Sequence, residues 1–300
     1  MISQPLIVLG APRSGTTMVF QALSTHPTLF SLYRESQGII NEHFPIEMRS
    51  GQSVEVTAED LDDETARTIA REFFDQVGNL EASMLLGRSV PLIARARLGK
   101  YLTRIGSFRK VPPIRIVEKT PDNCFRIQML LKVFPDARFV YVVRDPRGSI
   151  ASIHKGWTEE SRFQRFALPA DFAITGYTGK YWCFGLPPGW EELDGSTVME
   201  ICAHQWRLYN EFCRRDLPSD DQRVHQVRYE EISANPGSVL QSLARWAELD
   251  PVPLARYSKK LPVVNTWTKP RSDKWRRVED QITAVLPLVA EESDRLGYPR

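Results

Sequence analysis

The chain opens on an unbroken apolar run, Leu6-Ile7-Val8-Leu9. Its β-branched residues and its lack of alternation match a strand buried on both faces of a parallel sheet. Gly10 and Pro12 break the run, and from Gly15-Thr16-Thr17 the apolar positions take a helical spacing through Val19, Phe20 and Leu23. The same switch from strand to helix recurs. Ile114 to Glu118 predicts a second core strand, followed by Lys119-Thr120-Pro121 and a helix over Asp122 to Phe134. Arg138 to Val143 predicts a third, running straight into Arg144-Asp145-Pro146-Arg147 and a helix that carries Ser149 and Ser152. Pro146 suits the first turn of that helix, where its missing N–H removes no hydrogen bond. Arg223 to Arg228 predicts a fourth strand, continuing into Tyr229-Glu230. Strands that alternate with helices imply an α/β fold, a parallel sheet flanked by helices on both faces.

The intervening stretches differ in character. His26-Pro27 ends the first helical unit, and Phe30 to Ile40 reads as a strand or turn leading inward, with Glu35 beside Arg34. Residues 41–110 read as a helical insertion: Glu59 to Leu80 has Ala66, Ile69, Phe73 and Val77 at helical spacing, and Ser89 to Phe108 repeats the pattern with a basic face. Residues 157–196 lack periodicity but carry Tyr177, Tyr181, Trp182, Phe184 and Trp190, so they predict a substrate-covering segment rather than disorder. Thr197 to Leu217 is strongly amphipathic, Asn235-Pro236 starts another helix, and a last one runs from Val278 towards Leu296. Lys259 to Arg277 is basic and turn-rich. With no repeat and no linker, the expectation is a single domain over 1–300, with insertions at 41–110 and 157–196.

Composition narrows the partners. Lys and Arg number 39 against 37 Asp and Glu, a formal net charge of +2. So small an excess gives no global field for nucleic acid or membrane, neither is expected as a partner, and any anion site is local. Cys124, Cys183, Cys202 and Cys213 are scattered, with no CxxC pair and no histidine at metal-ligand spacing. Reduced thiols, no metal and a cytoplasmic location are therefore expected. The first strand begins within a few residues of Met1 and no apolar run is long enough to span a bilayer, so neither signal peptide nor membrane anchor is expected.

The candidate chemistry gathers at the strand ends. Gly10 and Gly15 stand where the two glycines of a nucleotide-binding GxxxxGK[ST] loop would stand, so the sheet is P-loop-like. Thr16, however, fills the lysine slot, and the cation comes earlier, as Arg13. Ligands of parallel sheets bind beyond the carboxyl ends of the strands. Arg13, Lys119 and Arg144 each stand just past such an end.

These residues resemble the sulfotransferases that use 3′-phosphoadenosine 5′-phosphosulfate (PAPS). PRSGTT, Pro12 to Thr17, is similar to their 5′-phosphosulfate loop and RDPRGSIAS, Arg144 to Ser152, to their 3′-phosphate segment. The order PRSGTT, EKTP, VRDPR, VRYE, SDKW matches from end to end, with 41–110 and 157–196 matching least. The likeness is to a bacterial branch related to the tyrosylprotein-type enzymes. It implies a sulfuryl transfer from PAPS to an acceptor hydroxyl, leaving adenosine 3′,5′-bisphosphate (PAP), without a metal. Arg13 with Ser14, Gly15, Thr16 and Thr17 would hold the 5′ side. Arg144 and Ser152 would hold the 3′-phosphate, and Arg228, Tyr229 and Lys274 would complete the nucleotide site, with Trp275 and Tyr229 near the adenine. Arg13 and Lys119 would stabilise charge on the leaving phosphate.

In one branch a histidine two residues after the lysine serves as base; here that position is Pro121. The resemblance to the other branch assigns the role to Glu35, with Glu42, His43 and His154 as alternatives. The two insertions would form the acceptor side. The expected acceptor is a small-molecule hydroxyl, with a peptide tyrosine or a sugar also compatible, and the residues specify no oligomeric state. Two other readings stay open: an ATP-dependent phosphotransferase using the Walker-like loop, and a non-catalytic nucleotide-binding protein.

Overall fold

A computed structural model describes residues 1–32, 35–49, 51–77, 112–217, 222–258 and 274–298. Its strands are β1 (Leu6–Leu9), β2 (Leu29–Ser31), β3 (Arg115–Glu118), β4 (Arg138–Val143), β5 (Gln164–Ala167), β6 (Tyr181–Cys183) and β7 (Val224–Arg228). The helices are α1 (Thr16–Leu23), α2 (Gln37–His43), α3 (Asp63–Gln76), α4 (Ile127–Val133), α5 (Pro146–Glu159), α6 (Val198–Asp216), α7 (Tyr229–Ala234), α8 (Pro236–Trp246), α9 (Pro251–Ser258), α10 (Glu279–Val285) and α11 (Ala290–Arg295).

Five strands form one sheet in the order β2-β3-β1-β4-β7, and every neighbouring pair is parallel. From β1 the chain runs outward to β2, returns through β3, then crosses to β4 and β7. The direction of winding thus reverses around β1, which is where parallel sheets open a crevice for ligands. The strands are apolar on both faces because both are covered. Leu6, Val8, Val140 and Val142 enter one core with Val19 and Leu23 of α1 and Leu240 and Leu243 of α8. Ile7, Leu9, Phe139 and Tyr141 enter the other with Leu130 of α4, Ile153 of α5 and Trp206 of α6. Strand periodicity of two therefore divides each strand between two helical layers.

Several predicted elements are redrawn. Within Phe30 to Ile40, expected as a strand or turn, β2 ends at Ser31 and α2 begins at Gln37, so the stretch also holds the start of a helix. The helix expected over Asp122 to Phe134 is a 3₁₀ turn, Pro121–Phe125, followed by α4. The break is at Arg126, fully buried, whose Nε donates to the Val54 carbonyl at 2.8 Å. Residues 157–196 are more ordered than their pattern implied: α5 runs to Glu159, and β5 and β6 pair as an antiparallel hairpin. Trp182, Phe184 and Trp190 of that stretch are buried, and Trp182 meets Trp157 edge to face at 5.2 Å. The final helix is interrupted by a 3₁₀ turn, Leu286–Val289, at Pro287, whose ring is incompatible with a helix interior. Helix α3 begins at Asp63, where the Asp62 carboxylate accepts from Thr65 N, later than the Glu59 expected. The helix expected over Ser89 to Phe108 and most of the basic stretch after Lys259 lie outside the described residues.

All four cysteines are free and buried. Among the described residues no helix is long and apolar enough to cross a membrane.

Candidate active site

The parallel sheet brings the carboxyl ends of β1, β3, β4 and β7 to one edge. The loop after β1 is folded by three positive φ angles, at Gly10 (149°), Arg13 (68°) and Gly15 (99°). Glycine is required at the first: a Cβ on Gly10 would lie 2.4 Å from the Val142 carbonyl oxygen and 2.8 Å from Ser14 Oγ. Gly15 faces Tyr229, whose ring carbon would be 2.5 Å from an added Cβ. Arg13 adopts a left-handed backbone that costs about 1 kcal/mol or more for a residue with a side chain. Its carbonyl is held there by Arg144, whose Nη1 donates to it at 2.7 Å. Helix α1 then starts at Thr16 with no side-chain cap and no acidic residue in its first turn. Its positive end is thus left open to an anion. Ser14 Oγ, buried beside the loop, has no hydrogen-bond partner.

The Arg13 side chain turns towards α5. Nε donates to Ser152 Oγ at 3.1 Å, Nη2 lies 3.7 Å from Glu160, and the guanidinium stands over the Phe163 ring at 5.1 Å. Burial lowers its pKa and Glu160 opposes that shift. The family resemblance implies Arg13 on the 5′ side and Ser152 on the 3′-phosphate; the fold puts the two side chains in contact. Arg144 lies over the Tyr229 ring at 4.2 Å, so Gly15, Tyr229, Arg144 and Arg13 form one connected group. Arg228 faces elsewhere: Nη2 donates to the Leu296 carbonyl at 2.5 Å and the guanidinium stands over Tyr298 at 4.8 Å. Lys274 opens a 3₁₀ turn that includes Trp275, over which Arg147 lies at 5.2 Å.

Beyond β3, Lys119 and Glu35 form a hydrogen-bonded ion pair. Lys119 exposes 10% of its side chain and Glu35 exposes 41%. The carboxylate therefore reaches solvent while the ammonium is screened from it. Among the alternative bases, His43 is joined to Glu72 of α3 at 2.9 Å, Glu42 is exposed on α2, and burial lowers the pKa of His154 on α5. Two charged residues escaped the sequence reading. Glu160 meets Arg13, and its only prior signal was its place at the end of α5. Glu118, fully buried, ends a strand whose other inward residues are apolar. A charge inside an apolar run was the available sign.

Chemically, the edge offers an anion cradle made by a helix terminus and arginines, and a solvent-reaching carboxylate paired with a lysine. Among the described residues, no group of three or more His, Cys, Asp and Glu side chains is arranged to hold a metal ion.

A profile of the sulfotransferase family matches residues 5–253. An uncharacterized protein of Aquifex aeolicus is 22% identical over 99% of this chain and 33% of its own length. The omega-hydroxy-beta-dihydromenaquinone-9 sulfotransferase Stf3 of Mycobacterium bovis is 25% identical over 62% of this chain and 42% of its own length. This chain thus spans well under half the length of these curated relatives. Among solved structures, the sulfotransferase STF9 of Mycobacterium avium is similar over the whole chain and 78% of its own length, with a TM-score of 0.52 at 18% identity, a likeness of fold. The strand–loop–helix built on Gly10 to Thr17, the parallel sheet and the profile match agree: the chain belongs to the sulfotransferase family.

Proposed function

We propose that this protein, as a single domain, transfers the sulfuryl group of PAPS to an acceptor hydroxyl, leaving PAP. The observation that supports it most is the joining of Arg13 to Arg144 across the mouth of β1 and β4. It links the segments whose motifs resemble the 5′ and 3′ halves of a PAPS site. The residues present fit such a donor. Positive φ at Gly10, Arg13 and Gly15 shapes a cradle, α1 presents an uncapped positive end, and the arginines suit bidentate phosphate binding. The donor supplies the sulfuryl group and a phosphate leaving group. Ser14 to Thr17 and Arg13 hold the 5′ side, Arg144 and Ser152 the 3′-phosphate, and Tyr229 stacks beside Arg144. Arg228, whose guanidinium is tied to the Leu296 carbonyl, and Lys274 complete the nucleotide site.

The remaining chemistry is positioning and charge. Glu35 accepts the acceptor's proton as the oxygen–sulfur bond forms and the sulfur–phosphate oxygen bond breaks. Lys119, already against Glu35, supplies positive charge as the leaving oxygen becomes anionic. The acceptor is a small-molecule hydroxyl. The name of the mycobacterial relative specifies one such acceptor, an omega-hydroxy menaquinone derivative.

Calorimetric titration with PAP and with ATP, together with labelled PAPS and a panel of phenols, sugars, alkyl alcohols and water, tests this reading. PAP should bind and ATP should bind far more weakly, with Arg144→Ala abolishing the preference. Equal binding of ATP, or ATP binding that survives Arg144→Ala and needs Mg²⁺, would favour a phosphotransferase instead. Glu35→Gln should keep PAP affinity and lose kcat by roughly 10²–10⁴-fold. A near-normal kcat would remove Glu35 from the role of base.

A further inference from the structure

Behind the Lys119–Glu35 pair lies a closed cluster of polar side chains. Glu118 is 1% exposed, Thr120 and Asn123 are fully buried, and so is Ser36. The Glu118 carboxylate accepts from Thr120 Oγ1 at 2.5 Å, from Asn123 Nδ2 at 2.7 Å and from the Ser36 backbone N–H at 3.3 Å. Thr120 Oγ1 in turn accepts from Ser36 N at 2.8 Å and from Ser36 Oγ at 3.1 Å. Asn123 Nδ2 also reaches Ser36 Oγ at 3.3 Å.

A buried carboxylate held by neutral donors is costly, so its presence is weak evidence of a stabilising role. Burial raises the Glu118 pKa, with the Glu35 carboxylate adding to that shift and the Thr120 and Ser36 hydrogen bonds opposing it. All three donors point at the Glu118 carboxylate, whose ionised form accepts from each of them, while Asn123 Oδ1 is buried without a hydrogen-bond partner.

The chain positions make the arrangement informative. Ser36 directly follows Glu35, and Glu118 and Thr120 flank Lys119. The β2–β3 ladder pairs Ser31 with Val117, and among the described residues no strand pairing joins the Glu35 segment to the Lys119 segment beyond it. Glu118 ends β3, and Glu118 and Thr120 both lie buried on either side of Lys119 in the chain. We propose that Glu118 is a positioning residue: with Thr120 and Asn123 it clamps Ser36, and so fixes Glu35 against Lys119 in the geometry that proton transfer needs. This rests on the reading of Glu35 as base. A displacement of about 1 Å at such a group costs up to roughly hundredfold in rate.

The test is a double-mutant cycle of Glu118→Gln with Glu35→Gln, using PAPS and the best acceptor of the panel, water included. Glu118→Gln should lower kcat by roughly ten- to hundredfold in the native background and leave the PAP dissociation constant unchanged. In the Glu35→Gln background it should cause no further loss, because the group it positions is already disabled. Thr120→Val, which keeps the branched shape and removes the hydroxyl, should reproduce the kcat loss, and Thr120→Ser should restore it. Full additivity with Glu35→Gln, weaker PAP binding, or an unchanged kcat in both Glu118→Gln and Thr120→Val would overturn the assignment. Failure of the underlying reading would show separately, as a near-normal kcat for Glu35→Gln alone. Should Glu118→Gln not fold, the Thr120 pair decides the question by itself.

Discussion

At Gly10 and Gly15 the missing Cβ is a spatial requirement. A side chain at Gly15 would press into the Tyr229 ring while holding φ at 99°. Gly15→Ala should therefore weaken PAP binding by tenfold or more in calorimetry while the protein remains folded, because the ring can shift and the loop cannot keep its shape. Gly10→Ala meets backbone, the Val142 carbonyl, which has no room to yield. It should cost more than about 2 kcal/mol of stability in urea titration. His26 gives a different kind of expectation. It is buried, its Nε2 lies 3.1 Å from the Asp250 carbonyl and its Nδ1 2.8 Å from Thr28 Oγ1, an arrangement that suits the neutral ring with the proton on Nε2. Sequence reading placed it as a helix-end residue; it also ties that end to the turn before α9.

At the scale of elements, sequence signals were strongest where local chemistry alone sets the boundary. Helix α6 starts at a capping box in which Thr197 Oγ1 accepts from Glu200 N and the Glu200 carboxylate accepts from Thr197 N. Thr197→Ala should cost about 1 kcal/mol, read as a lowered urea midpoint with unchanged slope. Helix α5 likewise begins where Pro146 predicts, with the Asp145 carboxylate accepting from Arg147 N. The signals were weakest where an element depends on distant partners. β2 has only three residues and exists because β3 pairs with it. The β5–β6 hairpin packs Trp182 against Trp157 of α5 and Phe172, contacts that periodicity does not register. Arg126 splits a helix because a carbonyl distant in sequence takes its side chain.

For the whole molecule, burial lowers the pKa of His26, His154, His204 and His225 below the ordinary value of 6.5. A base with a lower pKa when folded binds more protons when unfolded. Its contribution is therefore present above pH 6.5 and is lost as pH falls through the folded value. Thermal stability should fall as pH drops below 6.5, and His26→Gln should flatten that dependence. Glu118 has the opposite sign, its raised pKa favouring the folded state at low pH and losing that contribution as pH rises.

The sequence by itself determined the α/β class, the four longer parallel strands and the residues that leave their carboxyl ends, because apolar periodicity, glycine and proline act locally. It also carried the motifs by which the family resemblance is drawn. Only the tertiary structure decided the strand order with β1 at the reversal, the contact of Arg13 with Ser152 and Glu160, the turning of Arg228 to the C-terminal segment, and the buried cluster around Glu118. Each of these joins residues far apart in the chain, and the free energy of such a contact depends on burial and geometry that exist only after the layers have packed.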